Sequence, residues 1–96
     1  MAPPPLDPDA RLLVDIDLAI LGAAPERFDE YEVQVRQEYA WVPGPLFRRK
    51  RREILQGFLD RPCIYTTEPF RTRFELQARS NLQRSVARLK PRWGLW

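Results

Sequence analysis

The segment Ala10–Gly22 (ARLLVDIDLAILG) is the most apolar stretch of the chain, yet it holds two acids. At about 100° per residue on a helix, Asp15 and Asp17 point in nearly opposite directions. Asp15 stands four residues after Arg11, the spacing of a helical ion pair. Asp17 has Leu13 four residues before it and Leu21 four after, with Val14 and Ile20 beside them. The pattern therefore puts Asp17 in the apolar stripe, with no cation at helical spacing inside the segment. A lone ionised carboxylate there is costly unless a cation from elsewhere in the fold, or a metal ion, reaches it.

The same periodicity runs down the rest of the chain. A first helix over about 9–21 is capped by Asp7 or Asp9 and ended by Gly22. A second, about 25–41, starts at Pro25 and carries the stripe Phe28, Tyr31, Val35, Tyr39 and Val42, with Arg36 on its flank. Pro43-Gly44-Pro45 breaks the chain. A third helix, about 45–60, lines up Phe47, Arg51, Ile54, Leu55, Phe58 and Leu59. Its interior Gly57 is expected at a close helix–helix approach. Ile64 and Tyr65 are expected to point inward from an extended connector. Thr67 caps a fourth helix running to about 89, with Phe70, Phe74, Ala78, Leu82, Val86 and Leu89 at a spacing near four. No strand alternation and no repeat is found. The predicted fold is all-α, about four helices with short connectors. The Pro-rich residues 1–8 are expected to be an extended tail, 9–90 a single helical domain and 91–96 an aromatic tail.

Composition narrows the chemistry. The 96 residues include no histidine, so a self-contained zinc site, a serine–histidine triad and a cysteine–histidine pair are excluded. Cys63 is the only cysteine, which precludes an intrachain disulfide and suits a reducing cytoplasm. It reads as a small buried hydrophobe. No apolar run is long enough to span a membrane, and the N-terminus lacks the pattern of a secretory signal. The net charge of +3 permits an anionic partner without requiring one.

Several groups carry a functional reading beside a plainer one. Asp17 is either a buried acid met by an arginine or a metal ligand lacking companions; without a metal it is expected to be protonated, paired with an arginine such as Arg36 or Arg51, or turned toward water. The run Arg48-Arg49-Lys50-Arg51-Arg52 is either a solvated face or a phosphate-contacting patch. The patch would need Arg84, Arg88, Lys90 and Arg92 in the same stripe and exposed aromatics such as Trp93 and Trp96. No helix-turn-helix spacing is present, so nucleic acid is not the expected partner. Arg36 in Arg36-Gln-Glu-Tyr-Ala-Trp41 is either ordinary surface charge, a cation for the first helix, or a phosphate contact.

Five segments occur in a telling order: Asp15-Ile-Asp17-Leu-Ala-Ile-Leu-Gly22, Arg36-Gln-Glu-Tyr-Ala40, Phe47 to Leu55, Leu59-Asp-Arg-Pro-Cys-Ile-Tyr65, and Ala78-Arg-Ser-Asn-Leu82. Together they resemble the C-terminal half of a bacterial family of predicted metal-dependent phosphohydrolases of the HD-domain superfamily. The resemblance covers nearly the whole chain from about residue 9. It implies a partial HD-type helical bundle. In that superfamily a divalent metal (Zn, Mn or Mg) is held by a histidine, a histidine–aspartate pair and a distant final aspartate. By position the final aspartate is Asp17, with Asp15 the second choice. Arg36, Arg51, Arg52 and Arg79 are the corresponding anion or substrate contacts.

The chain departs from the family in two respects. It has no histidine, so three of the four metal ligands are missing, and Lys50 stands where a glycine is expected. The expectation is a truncated C-terminal fragment that is inactive and metal-free alone. The alternatives are one half of a split enzyme completed by a separate HD-bearing chain, and a small basic module binding an anionic ligand or nucleic acid. The first helix is apolar nearly all round and is expected to bury that surface in a homodimer.

Overall fold

The computed structural model describes residues 8–90; of the expected tails 1–8 and 91–96 all but Pro8, which opens the first helix, lie outside the described residues. The architecture is all-α. Helix α1 spans Pro8–Asp17, followed by a short 3-10 turn at Ala19–Gly22; α2 spans Pro25–Glu38, α3 Gly44–Leu59 and α4 Glu68–Leu89. Among the described residues there is no strand, and no helix is long and apolar enough to cross a membrane.

The longest helix, α4, is the spine. It packs along α3 on one side and against the 3-10 turn on another. Its spacing of about four puts Ala78, Leu82 and Val86 in the core, with Phe70, Phe74 and Leu89 at the margins. Leu21, Phe28, Leu55, Ile64 and Tyr65 complete that core. Each helix supplies few buried residues, so the connectors carry much of the packing. Ile64 and Tyr65 point inward as the sequence predicts.

The first helix is shorter than its apolar run. It stops at Asp17 because the next turn tightens, with Leu21 N–H donating to the Leu18 carbonyl at 3.0 Å. Two distant groups hold this tightened turn. The Tyr65 hydroxyl donates to the Leu18 carbonyl at 2.9 Å. The Asn81 amide donates to the carbonyls of Leu21 (2.9 Å) and Ala23 (2.8 Å). Leu21 therefore leaves the α1 stripe and enters the core. Gly22 is required by close approach: a Cβ there would lie 2.7 Å from Phe74 Cβ.

Two other expectations are corrected. Nothing lies within 4 Å of a Cβ placed at Gly57, so this glycine marks no helix–helix approach and faces open space. Cys63 is exposed, not buried. Glu75 accepts the amides of both Ile64 (2.9 Å) and Tyr65 (3.2 Å), which fixes those two residues inward and leaves the preceding cysteine outside.

Candidate functional site

The two acids of α1 divide as the helical wheel requires, but with their roles exchanged. Asp15 is fully buried. One of its oxygens accepts the Thr66 amide (2.9 Å) and hydroxyl (3.3 Å), and the other accepts the Thr67 amide (2.7 Å) and hydroxyl (2.5 Å). Burial alone would push this carboxyl up. The Thr67 hydroxyl and the two amides more than offset it and hold Asp15 below the usual carboxylate range. Arg11 does not serve as its partner in the expected way, because its guanidinium donates to the Thr66 carbonyl. Both residues grip the same connector, which sets the start of α4. Asp15 is therefore structural.

Asp17 is exposed, and it has no hydrogen-bond or ion-pair partner among the described residues. It does share a stripe with Leu13, as the spacing predicts, but that stripe faces outward. Leu12, Leu13 and Ile16 lie on the same side of α1, with Leu13 63% and Ile16 50% exposed. Val14 and Leu18, on the opposite side, are partly buried. The outcome is an uncovered apolar face with a carboxylate at its edge. Neither Arg36 nor Arg51 reaches it.

The candidate anion contacts are mostly occupied internally. Arg36 donates to the Tyr39 and Val42 carbonyls, each at 3.2 Å, and stacks over Phe47, closing the end of α2. Arg51 forms a two-pronged pair with Glu32 that ties α3 to α2. Burial opposes its charge, and the Glu32 carboxylate more than compensates. Arg79 pairs with Glu75 (2.9 Å) and donates to the carbonyls of Leu59, Arg61 and Pro62, closing the end of α3. Of these four arginines, only Arg52 has no hydrogen-bond, ion-pair or ring partner among the described residues. It lines a groove of about 450 Å³ between α3 and α4 with Glu53, Gln56, Gly57, Asp60, Val86 and Lys90.

The basic stripe is broken in a similar way. Arg84 (2.7 Å) and Arg88 (3.3 Å) both pair with Asp29, whose carboxyl they hold below its usual range, the Arg84 hydrogen bond contributing most. Arg92, Trp93 and Trp96 lie outside the described residues. Sequence reasoning overlooked Asn81, whose buried amide joins α4 to the 3-10 turn, and Trp41, which is 79% exposed. A signal existed for each. Asn81 neighbours Leu82 on an otherwise apolar face, and Trp41 falls off the α2 stripe just before Pro43.

Among the described residues no three His, Cys, Asp or Glu side chains cluster closely enough to hold a metal ion. Asp17 alone offers two oxygens, too few for the four to six donors of zinc, manganese or magnesium. The described residues therefore offer no donor set that fits a resident metal. No protein-family model, no curated protein and no solved structure matches this chain.

Proposed function

We propose that this chain is the C-terminal part of an HD-type metal-dependent phosphohydrolase bundle, catalytically silent by itself, and a homodimer joined through α1. One observation carries the reading: Asp15 is consumed by four donors, while Asp17, two residues on, stands free beside the uncovered Leu13 and Ile16. A residue that supplies the last ligand of a shared metal site must keep its carboxylate out of internal pairs, at the rim of a surface that other helices cover. The chain is silent alone because it has no histidine and a single free carboxylate cannot hold the ion. The exposed free Cys63 suits a reducing cytoplasm.

The same uncovered face favours a second reading, in which a separate chain bearing the histidine and the histidine–aspartate pair covers α1 and completes the site. Assays on generic phosphoesters with Zn²⁺, Mn²⁺ or Mg²⁺ separate these readings from an active enzyme. The chain alone gives no turnover above buffer in either reading. Metal-dependent turnover by the chain alone that disappears in Asp17→Ala overturns both.

A further inference from the structure

We propose that the α2–α3 turn and the first half of α3 form a contact surface for single-stranded nucleic acid, with Trp41 and Tyr39 stacking on bases and Arg48, Arg49 and Arg52 meeting phosphates. The surface is made of two features that the internal packing leaves unused. The first is aromatic. Trp41 is 79% exposed and Tyr39 47%, and their rings stand 6.4 Å apart at 48°. A large exposed indole held beside a second ring offers a base a flat apolar face at little ordering cost.

The second feature is cationic. On α3, which begins three residues after Trp41, Arg48, Arg49 and Arg52 lie at spacings of one, three and four and so share one side of the helix. None has an acid partner among the described residues, whereas Arg51, on another side, is spent on Glu32 and Lys50 sits 3.7 Å from Glu53. Past Arg52 the row meets a groove of mixed charge, which Lys90 lines together with Glu53 and Asp60. The packing thus separates the five-residue basic run into paired and free cations, and the free ones stand in the first half of the helix that directly follows the exposed rings.

Cations alone would suit any polyanion. The adjoining aromatic pair favours one whose charges alternate with flat rings, and unpaired bases present those rings where a duplex hides them. The residues changed in its test, Trp41, Arg48 and Arg49, have no part in the phosphohydrolase reading, so the two can fail separately.

The test is fluorescence anisotropy with a labelled oligothymidylate of about 20 nucleotides and the full chain, at low salt. Binding in the micromolar range is expected. It should weaken with salt on a logarithmic slope of about −2, corresponding to roughly three phosphates on a single strand. Trp41→Ala should weaken it at least about fivefold. Arg48→Gln with Arg49→Gln should weaken it about tenfold or more and flatten the salt slope. All three side chains are exposed, and an unchanged helical circular dichroism spectrum verifies that the fold survives. The proposal is overturned by absence of binding at low salt. It is equally overturned if Trp41→Ala binds like the parent, if a duplex of equal length binds as tightly, or if polyglutamate competes as well as the oligonucleotide does.

Discussion

The Thr67 hydroxyl donates to Asp15 Oδ2 at 2.5 Å, and the Thr67 amide reaches the same oxygen at 2.7 Å. A residue at the N-cap of α4 is thereby tied to a carboxylate in α1, 52 positions earlier in the chain. Thr67 makes no cap bond within its own helix, because its hydroxyl is committed to Asp15. The joint sets where α4 begins and, through α4, where the 3-10 turn can pack.

Removing the acid should therefore be costly. Asp15→Ala leaves two amides and two hydroxyls without their acceptor and should destabilise the fold by roughly 2–4 kcal/mol in denaturant melts. Asp17→Ala, at an exposed position without partners, should change stability by less than about 0.5 kcal/mol. The folded-state carboxyl of Asp15 lies below 3.8, so its stabilisation is fully present above that pH and is lost as pH falls through the folded value. Acid unfolding curves of Asp15→Asn should lack this component.

Tyr65 gives the opposite limb. Burial, and then the nearby Glu75 carboxylate, push its phenol up to about 12 from 10.0. Its contribution is complete below pH 10 and is lost as pH rises from about 10 to about 12. Tyr65→Phe should cost about 1 kcal/mol at neutral pH, from the lost bond to Leu18, and should flatten the alkaline part of the stability profile.

Asn81 is fully buried, and both of its amide protons are used on the 3-10 turn. Its oxygen accepts from Gln77 and Arg84. Asn81→Ala strands the buried Leu21 carbonyl and the partly buried Ala23 carbonyl and should destabilise by roughly 2–3 kcal/mol. Faster hydrogen exchange should appear first in the amides of residues 18–23.

The two glycines predict opposite signs. Gly22→Ala drives a Cβ into Phe74 and should cost about 2 kcal/mol or more. Gly57→Ala fills open space in a helix interior and should raise stability by up to about 1 kcal/mol. Thermal melts of the two variants in one buffer compare them directly.

The helices and their breaks were legible because period and punctuation agree. Pro25, Pro43 to Pro45 and Pro69 each open a helix where the apolar spacing resumes, and Ala78, Leu82 and Val86 are core as their spacing predicts. The roles of the two acids were not legible. Helical spacing placed Asp15 and Asp17 on opposite sides of α1 but carried no information about which side meets the rest of the chain. That choice depends on Thr66 and Thr67, whose amide donors arrive from 51 and 52 residues away. The burial of Asn81, the exposure of Cys63 and the freedom of Trp41 are likewise decided by long-range partners that no local pattern encodes.

The account rests on the outer face of α1 being an interface, not a solvated surface. Light scattering on the chain at micromolar concentration, beside a Leu13→Glu, Ile16→Glu variant, measures this directly. These side chains are 63% and 50% exposed, so the double change leaves the internal core untouched. The prediction is a dimeric mass for the parent chain and a monomeric mass for the variant, with equal helical content. A stable monomer for the parent chain, or a dimer that survives both substitutions, would contradict it.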